Sequence, residues 1–600
     1  MGLRHCPSAP AICALLLTCT SVLGATPQGT ATQQRLDELL AELGEAQHEQ
    51  DHARLQALYS ELARLQPRKP EFQRGLGLAC YLQGEFEPAI VALERASSLD
   101  SDLPGTQLYL GISYYRMNRF SEALAELDQA PELRANDPMA RYWVGATYRA
   151  LGRMPEAISS LEAAQAGAKT NLDVLQMLTR SYSEHSAEWF RRLLTAAATS
   201  PPARLLKAEE LAMDGAEEAA LQELEEALAE APNLIGLHRA RGEVLWSRQQ
   251  HEEGAAEFRL ELEIDPFSVE SHIRLGAFLL DNGDPASALG HLRLSQRFAP
   301  SDERVVTLLD QALRAGVAAL DPFGNAHDTS PSAELSIDAA HLAYRRGEAE
   351  RASVLLQRVL EVQGESVEVR RLLARCQIAE GRIEEAVEHL QRILASRTDD
   401  PETLYVLGKI YDRLASQSAA KLFRLNPRSS EARILRGESF ERGPRYEFER
   451  ALAEFREARN ISPNDPGSHH AIGRVLYKLK RFDEAIPNLQ AALALNPGHA
   501  MANYLLGKIQ LLRGQRAAAI DSLRAAVHAR PDLAAAQRDL ARALVLEGRH
   551  EEGIRIYQTL LESGPEDASL HALLAAAYRR AGRMEEAKAQ AEKARMLSAR

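Results

Sequence analysis

Bulky and small apolar residues recur in fixed phase along the last stretch of the chain, from Pro466 to Arg600. The pairs Ile472-Gly473, Leu506-Gly507, Leu540-Ala541 and Leu574-Ala575 stand 34 residues apart. Twelve residues after each small one comes another, at Ala485, Ala519, Gly553 and Ala587. A bulky residue follows four later at Leu489, Leu523 and Tyr557, and Pro497, Pro531 and Pro565 close the three copies. This spacing predicts pairs of helices. A small residue on the first helix lets the second come close, where a bulky one would hold them apart. Gly514, Gly548 and Gly582 fall between the periodic stretches, where a tight turn wants glycine, and the proline ends one hairpin before the next begins. One hairpin cannot bury its apolar face alone, so the copies must stack. Alternation of β-branched residues is absent, and Ala, Leu, Glu and Arg dominate, so the expected class is all-α.

The segment Gly473-Arg-Val-Leu-Tyr477, with Ala485, Leu489, Ala492 and Pro497, resembles the tetratricopeptide repeat (TPR), a family of 34-residue helix-turn-helix units. The resemblance implies a right-handed superhelical solenoid whose concave groove binds proteins or peptides.

Read in order, units begin at Leu36, Pro70, Pro104, Pro138, Leu172, Pro201, Ile235 and Val269, and again at Ala333, Val367, Pro401, Ser430, Pro466, Ala500, Ala534 and Ala568, about 16 in all. They form a first block over 36–302 and a second over 333–600. The units at Leu172 and Pro401 are only 29 residues long. Their starts differ by 229, as do those of Pro104 and Ala333, and of Pro201 and Ser430, which reads as an old duplication. The short unit is expected to be a bend or a shortened hairpin. Between the blocks, 303–332 is an irregular repeat and linker: helical in pattern from Glu303 to Leu320, then dense in turn formers from Asp321 to Pro331.

Residues 1–25 are of another kind. Arg4 and His5 precede an apolar run from Ala9 to Leu17, and Leu23-Gly24-Ala25 offers small residues for cleavage, so a signal peptide and export are expected. The run is too short to span a membrane, so no transmembrane helix is expected in the mature chain. Lipid attachment at Cys19 and an uncleaved N-terminal anchor stay open as alternatives. Composition and signal suggest a bacterial protein, periplasmic or secreted. The net charge of −13, which becomes −14 once Arg4 is removed with the leader, argues against nucleic-acid binding. Cys80 and Cys376 lie several repeats apart on packed faces, so buried free thiols are expected and not a disulfide.

Little in the chain carries catalytic chemistry. His48-Glu49-Gln50-Asp51-His52 fits the zinc-protease pattern, in which two histidines one turn apart hold the metal. Here it falls where the first hairpin should turn, so a zinc hydrolase is a remote alternative. His469-His470 are helix neighbours that point apart, expected as exposed groove residues. No catalytic constellation, metal site or cofactor motif is assembled. The signal that stands out is the residue after each small one. In the second block it is Arg375, Lys409, Arg474, Lys508 and Arg542, with Arg371, Tyr405, His470, Tyr504 and Arg538 four positions earlier on the same helix face. Ile434 and Glu438 interrupt this ladder, and the first block has Leu78, Ile112, Ala146, Arg180, Glu209, Glu243 and Ala277 at the corresponding slot. The resemblance places that face in the groove. The expected function is therefore a non-enzymatic interaction scaffold that holds a protein or extended peptide, of acidic character along the basic half. An assembly or export factor for an anionic envelope polymer is the alternative.

Overall fold

The computed structural model describes residues 30–298, 302–315, 337–442, 447–531, 533–563 and 567–598. Among these residues the secondary structure is helical throughout, with 32 helices and no strand. The hairpins follow the predicted period: Pro70–Gln83 with Phe86–Leu99, Pro466–Lys478 with Phe482–Leu495, Ala500–Leu512 with Arg516–Ala529, Ala568–Arg580 with Met584–Ser598. Cys80 and Cys376 are buried and free.

The small residue sits where it must. A Cβ at Gly473 would stand 2.7 Å from Leu489 and one at Gly507 2.7 Å from Leu523, the bulky residue of the same hairpin. The pairs Gly77 with Leu93 and Gly145 with Leu161 repeat the contact. Ala485 and Ala519 are fully buried from the other side. The turns are left-handed at Gly514 (φ 75°) and at Lys480 (φ 60°), which takes the same slot. The first hairpin, Thr30–Glu49 with His52–Leu65, forms although Leu43 occupies the small slot. There the Tyr59 ring leans instead on Gly75 of the next helix, which has no Cβ to exclude it.

A second recurring device was not legible in the sequence pattern. A polar side chain on the first helix donates to the carbonyl six residues earlier and ties down the loop that enters the repeat. Asn503 Nδ2 reaches Pro497 O at 3.0 Å, and Gln537 Nε2 reaches Pro531 O at 2.6 Å. His469 and His272 bond to Pro463 O and Pro266 O through Nε2, at 2.9 and 3.0 Å.

The two short units depart from expectation. Neither is a bend or a shortened hairpin: Leu172–Ala196 and Pro401–Leu425 are single helices of 25 residues each. The five residues missing from the 34-residue period removed the turn. Ser183-Glu-His-Ser-Ala187 and Ala415-Ser-Gln-Ser-Ala419 contain no Gly, Pro or Asn to break a helix.

The chain folds as two compact units, Met1–Ser181 with Ser416–Arg600, and Tyr182–Ala415. They cut across the sequence blocks, and both boundaries fall inside the 25-residue helices. In the first unit Leu175 packs with Leu422, Ala432 and Leu435, Ser418 Oγ donates to Leu175 O at 3.1 Å, and Asn118 Nδ2 donates to Gly498 O. In the second, Tyr182 stacks on Tyr411 at 6.3 Å, Ser186 Oγ donates to Gly408 O at 2.9 Å, and the Phe190 ring fills the space a side chain at Gly408 would take. Helix Glu303–Arg314 begins where the pattern placed it and buries Val305, Leu309 and Ala312 on Ile273, Ala288 and Leu292. The leader over 1–25 and the turn-rich part of the linker, Asp321 to Pro331, lie outside the described residues.

Candidate protein-binding groove

The ten ladder residues divide by environment. In the second unit Arg371 bonds Asp400 at 2.9 Å and Glu402 at 3.1 Å, and Arg375 bonds Glu402. Tyr405 is buried, its hydroxyl 3.4 Å from Glu209, and Lys409 Nζ lies 3.3 Å from the same carboxylate. Arg239 completes the set at 2.6 Å. Burial opposes the charge on Glu209, but Arg239 and Lys409 outweigh it and hold the carboxyl below its usual range. These charges are therefore engaged with acids of their own unit. Glu209 is itself a first-block residue at the corresponding slot.

In the first unit Arg474 bonds Glu441 at 2.6 Å, and Lys478 bonds the same acid at 2.9 Å. His470 is not an exposed groove histidine. It is only 9% exposed, packed on the His499 ring at a centroid distance of 4.4 Å. Burial, with the nearby His499, Arg474 and Arg180, pushes it well below the ordinary histidine range. Glu438, the acid that interrupts the ladder, accepts from Arg180 at 2.6 Å; Arg180 is the one cation at that slot in the first block.

The last two repeats bearing the ladder are different. Lys508 Nζ lies over the Tyr477 and Tyr504 rings, at 5.8 and 5.2 Å, with Asp539 at 3.8 Å. Arg538 bonds Asp567 at 3.4 Å with its side chain 43% exposed. Arg542 is exposed, one helical turn beyond Arg538. Tyr504, Lys508, Arg538 and Arg542 thus present cations and an aromatic ring at partly or fully exposed positions.

The zinc-like motif is divided between two helices. The first helix ends at Glu49, Gln50 takes φ 54°, and Asp51 caps the next helix by accepting from Arg54 N at 3.0 Å. His48 and His52 therefore do not share a helical face. Among the described residues no group of three or more His, Cys, Asp or Glu is placed to hold a metal ion.

Hairpins stacked through a glycine-to-leucine contact at a 34-residue period define an α-solenoid. Family models agree on its kind: two tetratricopeptide-repeat models match, one over residues 343–410 and 511–577, the other over 50–104 and 470–534. A model described as anaphase-promoting complex, cyclosome, subunit 3 matches 82–164. The chain is a tetratricopeptide-repeat protein. No curated protein matches the sequence. Among solved structures, MamA from Desulfovibrio magneticus RS-1 is 27% identical, covering 28% of this chain and 94% of its own, with a TM-score of 0.27. YrrB, described as a TPR protein with an unusual peptide-binding site, is 21% identical over 29% of this chain and 90% of its own, TM-score 0.27. Yeast Tom70 is 14% identical over 66% of this chain and 91% of its own, TM-score 0.26.

Proposed function

We propose that the protein is a non-enzymatic scaffold that holds an acidic protein or extended peptide on its C-terminal repeats. The observation that carries this is the uneven use of the ladder. Arg371, Arg375, Tyr405, Lys409, His470 and Arg474 are taken up by acids or by burial within the fold. Lys508 lies over the Tyr504 ring with Asp539 at 3.8 Å, and one repeat on Arg538 and Arg542 carry the more exposed side chains. Individual exposed contacts are weak, so affinity comes from several engaged together. The test is K508E/R542E, with the natural partner captured from an extract by the parent chain. Helicity and melting should be unchanged, while partner binding falls at least tenfold and loses most of its salt dependence. Equal binding by parent and variant would remove these residues from the site.

We also propose export. It is supported by the leader pattern, Arg4 and His5 before the apolar run and Leu23-Gly24-Ala25 after it. The mature protein is then expected to begin near Thr26. Mass spectrometry of the native protein checks this, and peptides reaching Met1 would sink it.

A further inference from the structure

Part of the contact set between the two blocks occurs twice with the blocks exchanged. In the first unit Arg180 of the first block pairs with Glu438 of the second at 2.6 Å. Add the repeat offset of 229 to Arg180 and the residue is Lys409; subtract it from Glu438 and the residue is Glu209. Lys409 and Glu209 are the pair found in the second unit, at 3.3 Å. The apolar positions correspond in type and burial. Leu175 packs with Leu422, Ala432 and Leu435 in the first unit. Their counterparts at the same offset are Leu404, Leu193, Ala203 and Leu206, identical in type at every position and all buried. At the middle of the 25-residue helices Tyr182 stacks on Tyr411, which is its own counterpart. A residue that meets its own equivalent, flanked by reciprocal pairs, is the signature of an isologous interface.

Nothing in a chain of repeats demands this. Neighbouring TPR hairpins stack head to tail through a heterologous contact, and the 34-residue period alone produces no reciprocal one. The turnless 25-residue helix is what makes it available. It stands at the same place in each block, and each block carries both a cation and an acid at the required slots: Arg180 with Glu209, Lys409 with Glu438.

We propose that the interface between the two blocks is a dimer interface within one chain, so that the partner its surface fits is a second block of the same kind. Covalent linkage through 316–336 is then not what holds the blocks together. The proposal does not use the Lys508–Arg542 surface and stands or falls apart from the binding function. The test uses the full chain with a specific protease site inserted between Asp321 and Pro331. After complete cleavage the two halves should remain one particle of undiminished mass by size exclusion with light scattering, at micromolar concentration. R180E/K409E should release the halves after cleavage. Adding E438R and E209R to that variant restores both pairs in reversed sense and should restore the single particle. Circular dichroism before cleavage verifies that each variant is folded. Separation of the cleaved parent, or failure of the fourfold variant to hold together when folded, overturns the proposal.

Discussion

Gly507→Leu is expected to unfold the C-terminal repeats and leave the second unit intact. A Cβ at Gly507 would lie 2.7 Å from Leu523 Cγ and 3.3 Å from the Ala519 carbonyl. The Leu523 side chain is fully buried, and the Ala519 oxygen is helix backbone, so neither can move aside without parting the hairpin. Overpacking of a core usually costs about 1–3 kcal/mol; a whole isobutyl group against backbone should reach or exceed the upper end. Because each hairpin contacts mainly its neighbours, the damage should be confined. Hydrogen exchange should show lost protection from about Pro466 to Ser563, while 201–298 keeps its protection. Comparable loss across 201–298 would show that the array is not built of nearest-neighbour terms.

Acid should destabilise the fold through histidines buried in the neutral state. Burial, partly offset by the bond to Pro266 O, lowers His272 from its ordinary 6.5 to about 4, and burial does the same to His185. His291, His470 and His499 are likewise lowered, in each case chiefly by burial. At His272 and His499 the geometry requires neutral rings. His272 Nε2 donates to Pro266 O, so its Nδ1 must accept from His291 Nδ1 at 2.9 Å, and a second proton has no place between them. Arg259 faces His291 and adds to the cost of charging it. His499 Nδ1 accepts from Ala502 N at 3.2 Å as the cap of its helix, an acceptor that the imidazolium lacks. Each folded pKa lies below the unfolded one, so the unfolded chain binds more protons between them. The stability these groups contribute is present above pH 6.5 and is lost as pH falls below it, for His272 and His185 over the range down to about 4. A displacement of this size corresponds to at most about 3 kcal/mol for His272. The check is the urea midpoint measured from pH 7.5 to pH 4.5 in the parent and in H272Q. Glutamine can keep the donor to Pro266 O, as Gln537 does to Pro531 O. H272Q should therefore show a shallower decline, and a parent midpoint that is flat with pH would refute the account.

The hairpin, its period and its closest contacts were written locally. Gly473, Gly507 and Gly77 face the leucine of their own hairpin because both residues lie within one repeat, and helix pairing at close range needs only those two side chains and a turn. The division of the zinc-like motif by a turn at Gln50 was legible for the same reason. The basic ladder was legible as a recurrence but not in its use. Which cations stay exposed depends on acids far along the chain: Glu209 lies 200 residues from Lys409, and Glu438 lies 258 from Arg180. A spacing pattern carries no information about such partners, so His470 and Tyr405 read as groove residues while the fold buries them.

Sequence alone determined that this protein is a stack of TPR hairpins in two related blocks, because burying an apolar stripe every 34 residues has one local solution. Only the tertiary structure decided which residues form compact units. Losing five residues turned a hairpin into a 25-residue helix in each block. That helix exposed the same face twice, and the reciprocal contacts of Tyr182 with Tyr411, and of Arg180 and Lys409 with their distant glutamates, then joined parts of both blocks into each unit. Local periodicity fixes what each repeat buries inside itself; what a repeat meets from elsewhere in the chain depends on shape and charge that exist only once the helices are placed.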